Sequence, residues 1–110
     1  MEITLDTKPL SINRAWRGGA RYRTKDYLQY EKDVLRLLPK NVKIKGEFEI
    51  DITFYCKNYS RSDLDNIVKP ILDILTKSNI IEDDRKCVRL QVFKEKSPKD
   101  YLEIDITPLE

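Results

Sequence analysis

Glu47-Phe48-Glu49-Ile50-Asp51-Ile52-Thr53-Phe54-Tyr55-Cys56 decides how this chain is built. Phe48, Ile50, Ile52, Phe54 and Cys56 fall on one side of an extended backbone, and Glu47, Glu49, Asp51, Thr53 and Tyr55 on the other. Side chains alternate faces along a strand, so a period of two marks a strand buried on one face only. Such a strand needs partners of the same pattern. Residues 87–94 supply one, with Val88, Leu90 and Val92 inward, and residues 101–107 another, with Leu102, Ile104 and Ile106 inward. Residues 97–100, which include Pro98, are expected to join these two as a hairpin. Residues 2–5 form a further short strand with Ile3 and Leu5 inward.

Two helical periodicities lie between the strands. Residues 24–38 set Tyr27, Tyr30, Val34 and Leu38 near one stripe, with Thr24 as N-cap and Pro39 as stop. Residues 65–77 set Ile67, Ile71, Ile74 and Leu75 at i, i+4, i+7 and i+8. Residues 8–23, with their Arg, Gly and Pro, read as a loop. The result is one α+β domain over residues 1–110. It has a small, mainly antiparallel or mixed β-sheet with two principal helices on one face.

Composition narrows the chemistry. The 110 residues contain no His, which excludes Ser-His-Asp and Cys-His catalysis, a His general base and His-ligated zinc. Acid-base or metal work must fall to Asp, Glu, Lys or Tyr. Cys56 and Cys87 are too few for a disulfide scaffold or a four-cysteine zinc site, and are expected as buried, reduced thiols. No stretch approaches the length of a membrane-spanning helix, and no signal-peptide core opens the chain, so a cytoplasmic location without membrane association is expected.

The formal charge of +2 conceals an asymmetry. Residues 8–45 hold eleven Lys and Arg against three acids, a net +8, whereas residues 46–110 hold ten bases against fourteen acids, a net −4. A basic third beside an acidic remainder suggests a polyanion site next to a carboxylate cluster.

The carboxylates sharpen that suggestion. Inside a helix Asp63 and Asp65 would point about 200° apart. In an extended segment they share a face. They therefore converge if the chain is extended through Asp65 and turns helical just after, with Asp65 or Asn66 as N-cap. From there Asp65, Lys69 and Asp73 fall at i, i+4 and i+8, which holds Lys69 between two carboxylates. Pro70 lacks the N–H that would close the first turn, so that turn is expected to be distorted. Glu82-Asp83-Asp84 lies in the loop after the helix, where three consecutive acids repel unless a cation or basic partner compensates. Two converging Asp plus a carboxylate from another loop make a hard-oxygen set suited to Mg²⁺ or Mn²⁺. Such a site stabilises a phosphodiester under attack and activates water. Each piece alone has a structural explanation as a cap, a soluble loop or a surface ion pair. The conjunction of all three beside a basic segment points to phosphate chemistry.

Asp63-Leu64-Asp65-Asn66, Lys69, Asp73-Ile74-Leu75 and Glu82-Asp83-Asp84 together resemble the core signature of the RusA-type Holliday-junction resolvases. The segment from Pro9 to Arg14 is similar to that family's opening. The resemblance spans essentially the whole chain. It implies an intermeshed homodimer that needs Mg²⁺ and no small-molecule cofactor, binds four-way DNA junctions and nicks two strands of like polarity symmetrically. It implies Asp63, Asp65 and Asp84 as catalytic and metal-binding acids, with Asp83 as the alternative third ligand, and Lys69 as the essential lysine. Arg61 corresponds to a basic residue before the first Asp, here separated from it by Ser62. Arg14, Arg17, Arg21, Arg23 and Lys25 are the expected phosphate contacts, with Gly18 and Gly19 letting that loop conform to DNA. Trp16 and Tyr22 are candidates to stack on unpaired bases and Phe93 to pack in a dimer interface, although packing against the protein itself is the simpler role for all three. Two rivals stand beside this reading: a nucleic-acid-binding module without catalysis, and a dimeric DNA-structural protein whose charged halves drive self-association.

Overall fold

The computed structural model describes residues 1–10, 16–17 and 22–109, with 16–17 and 22–23 as backbone. In chain order the elements are β1 (Glu2–Leu5), β2 (Trp16–Arg17), β3 (Tyr22–Arg23), α1 (Lys25–Leu37), β4 (Phe48–Cys56), α2 (Asp65–Lys77), β5 (Cys87–Lys96) and β6 (Tyr101–Pro108). The alternating segment is β4, and it lies inside a four-stranded sheet of order β1-β6-β4-β5. β1 pairs antiparallel with β6 and β6 antiparallel with β4, whereas β4 and β5 are parallel. This is the expected α+β architecture with a mixed sheet.

Alternation explains the core. Phe48, Ile50, Ile52, Phe54 and Cys56 are buried, in register with Leu102, Ile104 and Ile106 of β6, and Ile3 and Leu5 of β1 extend the layer. Tyr27, Tyr30, Val34 and Leu38 from the first helical segment and Ile67, Ile71, Ile74 and Leu75 from α2 join the same core. Thr24 caps α1 as expected, its Oγ1 accepting from the Tyr27 N–H at 3.2 Å. Glu31 is buried on α1 and accepts from Lys77 Nζ of α2 at 2.8 Å, which clamps the two helices together.

Four expectations are corrected. β5 and β6 do not form a hairpin, because they flank β4 on opposite sides. The connection crosses the end of β4, where the Ser97 N–H donates to the Cys56 carbonyl at 3.1 Å and the Lys57 N–H to Asp100 Oδ1 at 2.9 Å. The helix between β4 and β5 supplies the crossover a parallel pair requires, and β6 then pairs antiparallel on the other side of β4. Val88 and Leu90 are not buried: they are 49% and 43% exposed, and only Val92 packs against the core. β5 is an edge strand, and alternation buries an edge only where a helix covers it. Cys56 is buried as expected, but Cys87 is half-buried at the start of that edge; both are free thiols. Burial still pushes the Cys87 thiol up.

Residues 8–23 also contain more than a loop, since β2 and β3 pair antiparallel as a short ribbon with Trp16 opposite Arg23. Phe93 is 48% exposed on the sheet face away from the helices, level with Thr53. Among the described residues no helix is long and apolar enough to cross a membrane.

Candidate active site

The crossover from β4 through α2 to β5 carries all the singled-out acids. After β4 the chain makes a 3₁₀ turn at Tyr59–Arg61, and Ser62 is extended. Leu64 is already helical, with φ −67° and ψ −40°, and α2 begins at Asp65. The extension thus ends before Asp65, and neither Asp65 nor Asn66 is the N-cap; Leu64 holds that position without a side-chain bond. Leu64 packs against the core, which draws the chain into the helical turn early. The Ile67 N–H closes the first turn on the Leu64 carbonyl at 3.2 Å, a tight i to i−3 bond. Pro70, buried inside the helix, offers the Asn66 carbonyl no N–H, in keeping with the expected distortion.

Asp63 and Asp65 are exposed. Asp63 opens onto a cleft of about 290 Å³ that Lys8, Asn58, Arg61, Ser62 and Asn66 also line. Asp65 stands at the first position of α2, where the positive end of the helix dipole favours a carboxylate.

Lys69 is held between two carboxylates, though not the expected pair. Its Nζ lies 2.8 Å from Asp84 Oδ2 and 3.0 Å from Asp73 Oδ1, so Asp84 takes the place expected of Asp65. The hydrogen bond to Asp84 and then that to Asp73 push the ammonium up to about 12, so it is a fixed cation at any physiological pH. Lys69, Asp73, Asp83 and Asp84 line one open depression with Thr76 and Lys77.

The three consecutive acids take different partners. Glu82 Oε1 accepts from the Gly46 N–H at 2.9 Å, at a turn where Gly46 has φ +72°. Asp83 caps the 3₁₀ turn Asp84–Lys86: Oδ1 accepts from the Arg85 N–H at 2.9 Å and Oδ2 from Arg85 Nη2 at 3.1 Å. Those two bonds hold its carboxyl down to about 2. Asp84 alone of the three turns towards Lys69.

The structure therefore brings Asp84, Lys69 and Asp73 together and sets Asp63 on a second cleft at the start of the same helix. Among the described residues no three acidic or cysteine side chains are gathered closely enough to hold a metal ion. In kind, the donors fit a divalent cation: Asp63, Asp65 and Asp84 offer hard carboxylate oxygens open to solvent. At Asp84 the positive partner present is the Lys69 ammonium.

Of the expected phosphate contacts, Arg61 is exposed beside the Asp63 cleft and Lys25 is exposed at the start of α1. Arg17 and Arg23 belong to the β2–β3 ribbon. Arg14 and Arg21 lie outside the described residues, as do Gly18 and Gly19. Sequence reasoning missed Lys94, whose Nζ donates to the carbonyls of Tyr59 at 2.7 Å and Ser62 at 3.1 Å. The available signal was its position, since Lys94 continues the inward row of Val88, Leu90 and Val92 with a charge.

Known proteins share this arrangement of sequence. The family model described as Endodeoxyribonuclease RusA matches residues 7–107. The crossover junction endodeoxyribonuclease rusA of Enterobacteria phage HK97 is 36% identical over 108 residues, covering 93% of this chain and 90% of that protein. A match of that extent takes in both acid groups, Lys69 and every strand of the sheet but β1, and the chain belongs to the RusA endodeoxyribonuclease family.

Proposed function

We propose that this chain is a Mg²⁺-dependent nuclease that resolves four-way (Holliday) DNA junctions by paired, symmetric phosphodiester hydrolysis in recombination and repair. It acts in the cytoplasm as a homodimer. The observation that carries the reading is the Lys69 ammonium, held at 2.8 Å from Asp84 on the crossover that also presents Asp63 and Asp65. Asp63, Asp65 and Asp84 are the residues that would hold Mg²⁺, or Mn²⁺ in its place. When bound, the ion supplies water activation and charge neutralisation at the phosphate.

The chain's own groups do the rest. Lys69 is permanently cationic and offers its ammonium to the scissile phosphate, whose charge grows during attack. Asp73 keeps that ammonium directed when phosphate draws it from Asp84. Asp83, engaged by Arg85, shapes the turn that carries Asp84. Arg14, Arg17, Arg21, Arg23, Lys25 and Arg61 contact backbone phosphates, which positions the DNA without reading its sequence. Two such surfaces related by a dimer axis match the two-fold symmetry of a junction.

The deciding experiment incubates the protein with a labelled synthetic four-way junction, with Mg²⁺ and with chelator, beside a linear duplex of the same sequence. The expected result is paired nicks in two strands of like polarity, in the junction alone and with metal alone. Junction binding without cleavage across the divalent metals would instead identify a non-catalytic binding module.

A further inference from the structure

We propose that Lys94 is a positioning residue for Asp63: it fixes the backbone from Tyr59 to Ser62 and so sets where the first candidate carboxylate points. The proposal rests on the reading of Asp63 as a catalytic acid given above.

Lys94 sits near the end of β5, in register with Phe54 of β4, and so takes an inward position in a row that otherwise carries Leu90 and Val92. Its half-buried stem follows the sheet while its ammonium reaches past the end of β4. There it meets the Tyr59 carbonyl at 2.7 Å and the Ser62 carbonyl at 3.1 Å, with the Tyr59 ring centroid 4.4 Å away. These carbonyls bracket the 3₁₀ turn, one at its first residue and one just after it.

The peptide unit is planar, so the Ser62 carbonyl and the Asp63 N–H move as one body. Fixing that carbonyl therefore fixes the plane from which Asp63 departs. The turn's other bonds are local: the Arg61 N–H and Ser62 Oγ both donate to the Asn58 carbonyl, at 3.0 and 2.8 Å. Local bonds shape a turn but do not anchor it to the sheet. The Lys94 ammonium supplies that anchor from a neighbouring strand, and a lysine suits it because one compact charge carries several donors. An apolar replacement of similar length keeps the stem's packing and leaves both carbonyls without this donor.

The test uses the full chain with Lys94→Met. Three quantities are measured: the single-turnover cleavage rate at saturating junction and Mg²⁺, the junction affinity in chelator, and backbone amide exchange. The expected result is a rate lower by about 10–100-fold, the usual range when a group that orients a ligand is lost. Junction affinity stays within about threefold, and exchange accelerates through residues 59–63 but not in β4 or β6. A rate at saturation equal to that of the parent overturns the proposal. Weaker junction binding with an unchanged saturated rate also overturns it, since Lys94 would then be a phosphate contact. If Lys94→Met does not fold, Lys94→Gln carries the same test, with a shorter, uncharged amide of two N–H donors in place of the ammonium. Asp63→Asn is assayed in parallel. Parental cleavage by that variant refutes the underlying reading, whereas an inactive Asp63→Asn beside a fully active Lys94→Met refutes the role of Lys94 alone.

Discussion

Lys69 and Asp84 meet at 2.8 Å although fifteen residues separate them, and this contact ties the middle of α2 to the turn before β5. It also distinguishes Asp84 from its neighbour, because Asp83 spends both of its oxygens on Arg85. Asp84→Asn is therefore expected to lower the junction cleavage rate by about 100-fold or more, and Asp83→Asn by less than about tenfold. Single-turnover cleavage with end-labelled junctions separates the two. Equal losses would remove the distinction.

Lys69→Met is expected to abolish cleavage while leaving junction binding in place. It should also change how stability responds to alkali. The folded-state value of Lys69 is about 12, above its ordinary 10.5, so its ion pairs contribute fully below 10.5 and fade as pH rises through about 12. In chelator, the stability difference between parent and Lys69→Met should therefore shrink across that window. Denaturant titrations at stepped pH measure it.

Junction binding should weaken steeply with salt. Each lost phosphate contact removes about one unit from the slope of log affinity against log salt. Arg17→Ala, Arg23→Ala and Arg61→Ala are each expected to flatten the slope by about that amount, without altering the cleavage rate at saturating junction. A variant whose slope matches the parent has no phosphate contact at that residue.

The clamp between the helices should be asymmetric. Glu31 is buried whereas Lys77 is half-exposed, so removing the cation leaves the costlier group behind. Lys77→Met is expected to destabilise by about 1–2 kcal/mol after allowance for solvent screening, and Glu31→Gln by less than about 1 kcal/mol. Urea midpoints with unchanged slopes would report it.

Burial makes a further contrast between the central strand β4 and the edge strand β5. Ile52→Ala empties a central position and should cost about 2–5 kcal/mol. Leu90→Ala lies at an exposed edge and should cost less than about 1 kcal/mol. Equal costs would mean that another surface covers the β5 edge in solution.

Local pattern carried most of the architecture. The period of two in β4 and β6, the stripe in α2 and the Thr24 cap all follow from geometry within a few residues, and all are present. What local pattern did not carry is pairing. Val88 and Leu90 alternate as well as Leu102 and Ile104 do, and only sheet order tells an edge from a centre. The candidate site divides the same way. Spacing along α2 found Lys69 and Asp73, but the partner that completes the pair, Asp84, comes from a turn whose return path no spacing encodes. Lys94 and the Glu31 clamp were missed for that reason: each acts on a segment distant in sequence.

The placement of β4 between β5 and β6 has a consequence for synthesis. Every pairing in the four-stranded sheet is with a strand remote in the chain: Ile52 meets Val92 and Ile104, and Ile3 meets Ile104. A nascent chain that has cleared the ribosome as far as α2 already displays Asp63, Asp65 and Lys69 but has no strand to lay beside β4. Loop closure over such distances is slow, and the sheet is complete only once β6 has emerged. An unfinished copy thus carries most of the acidic signature without the scaffold that aligns it, which delays DNA-cutting competence until translation has passed the final strand.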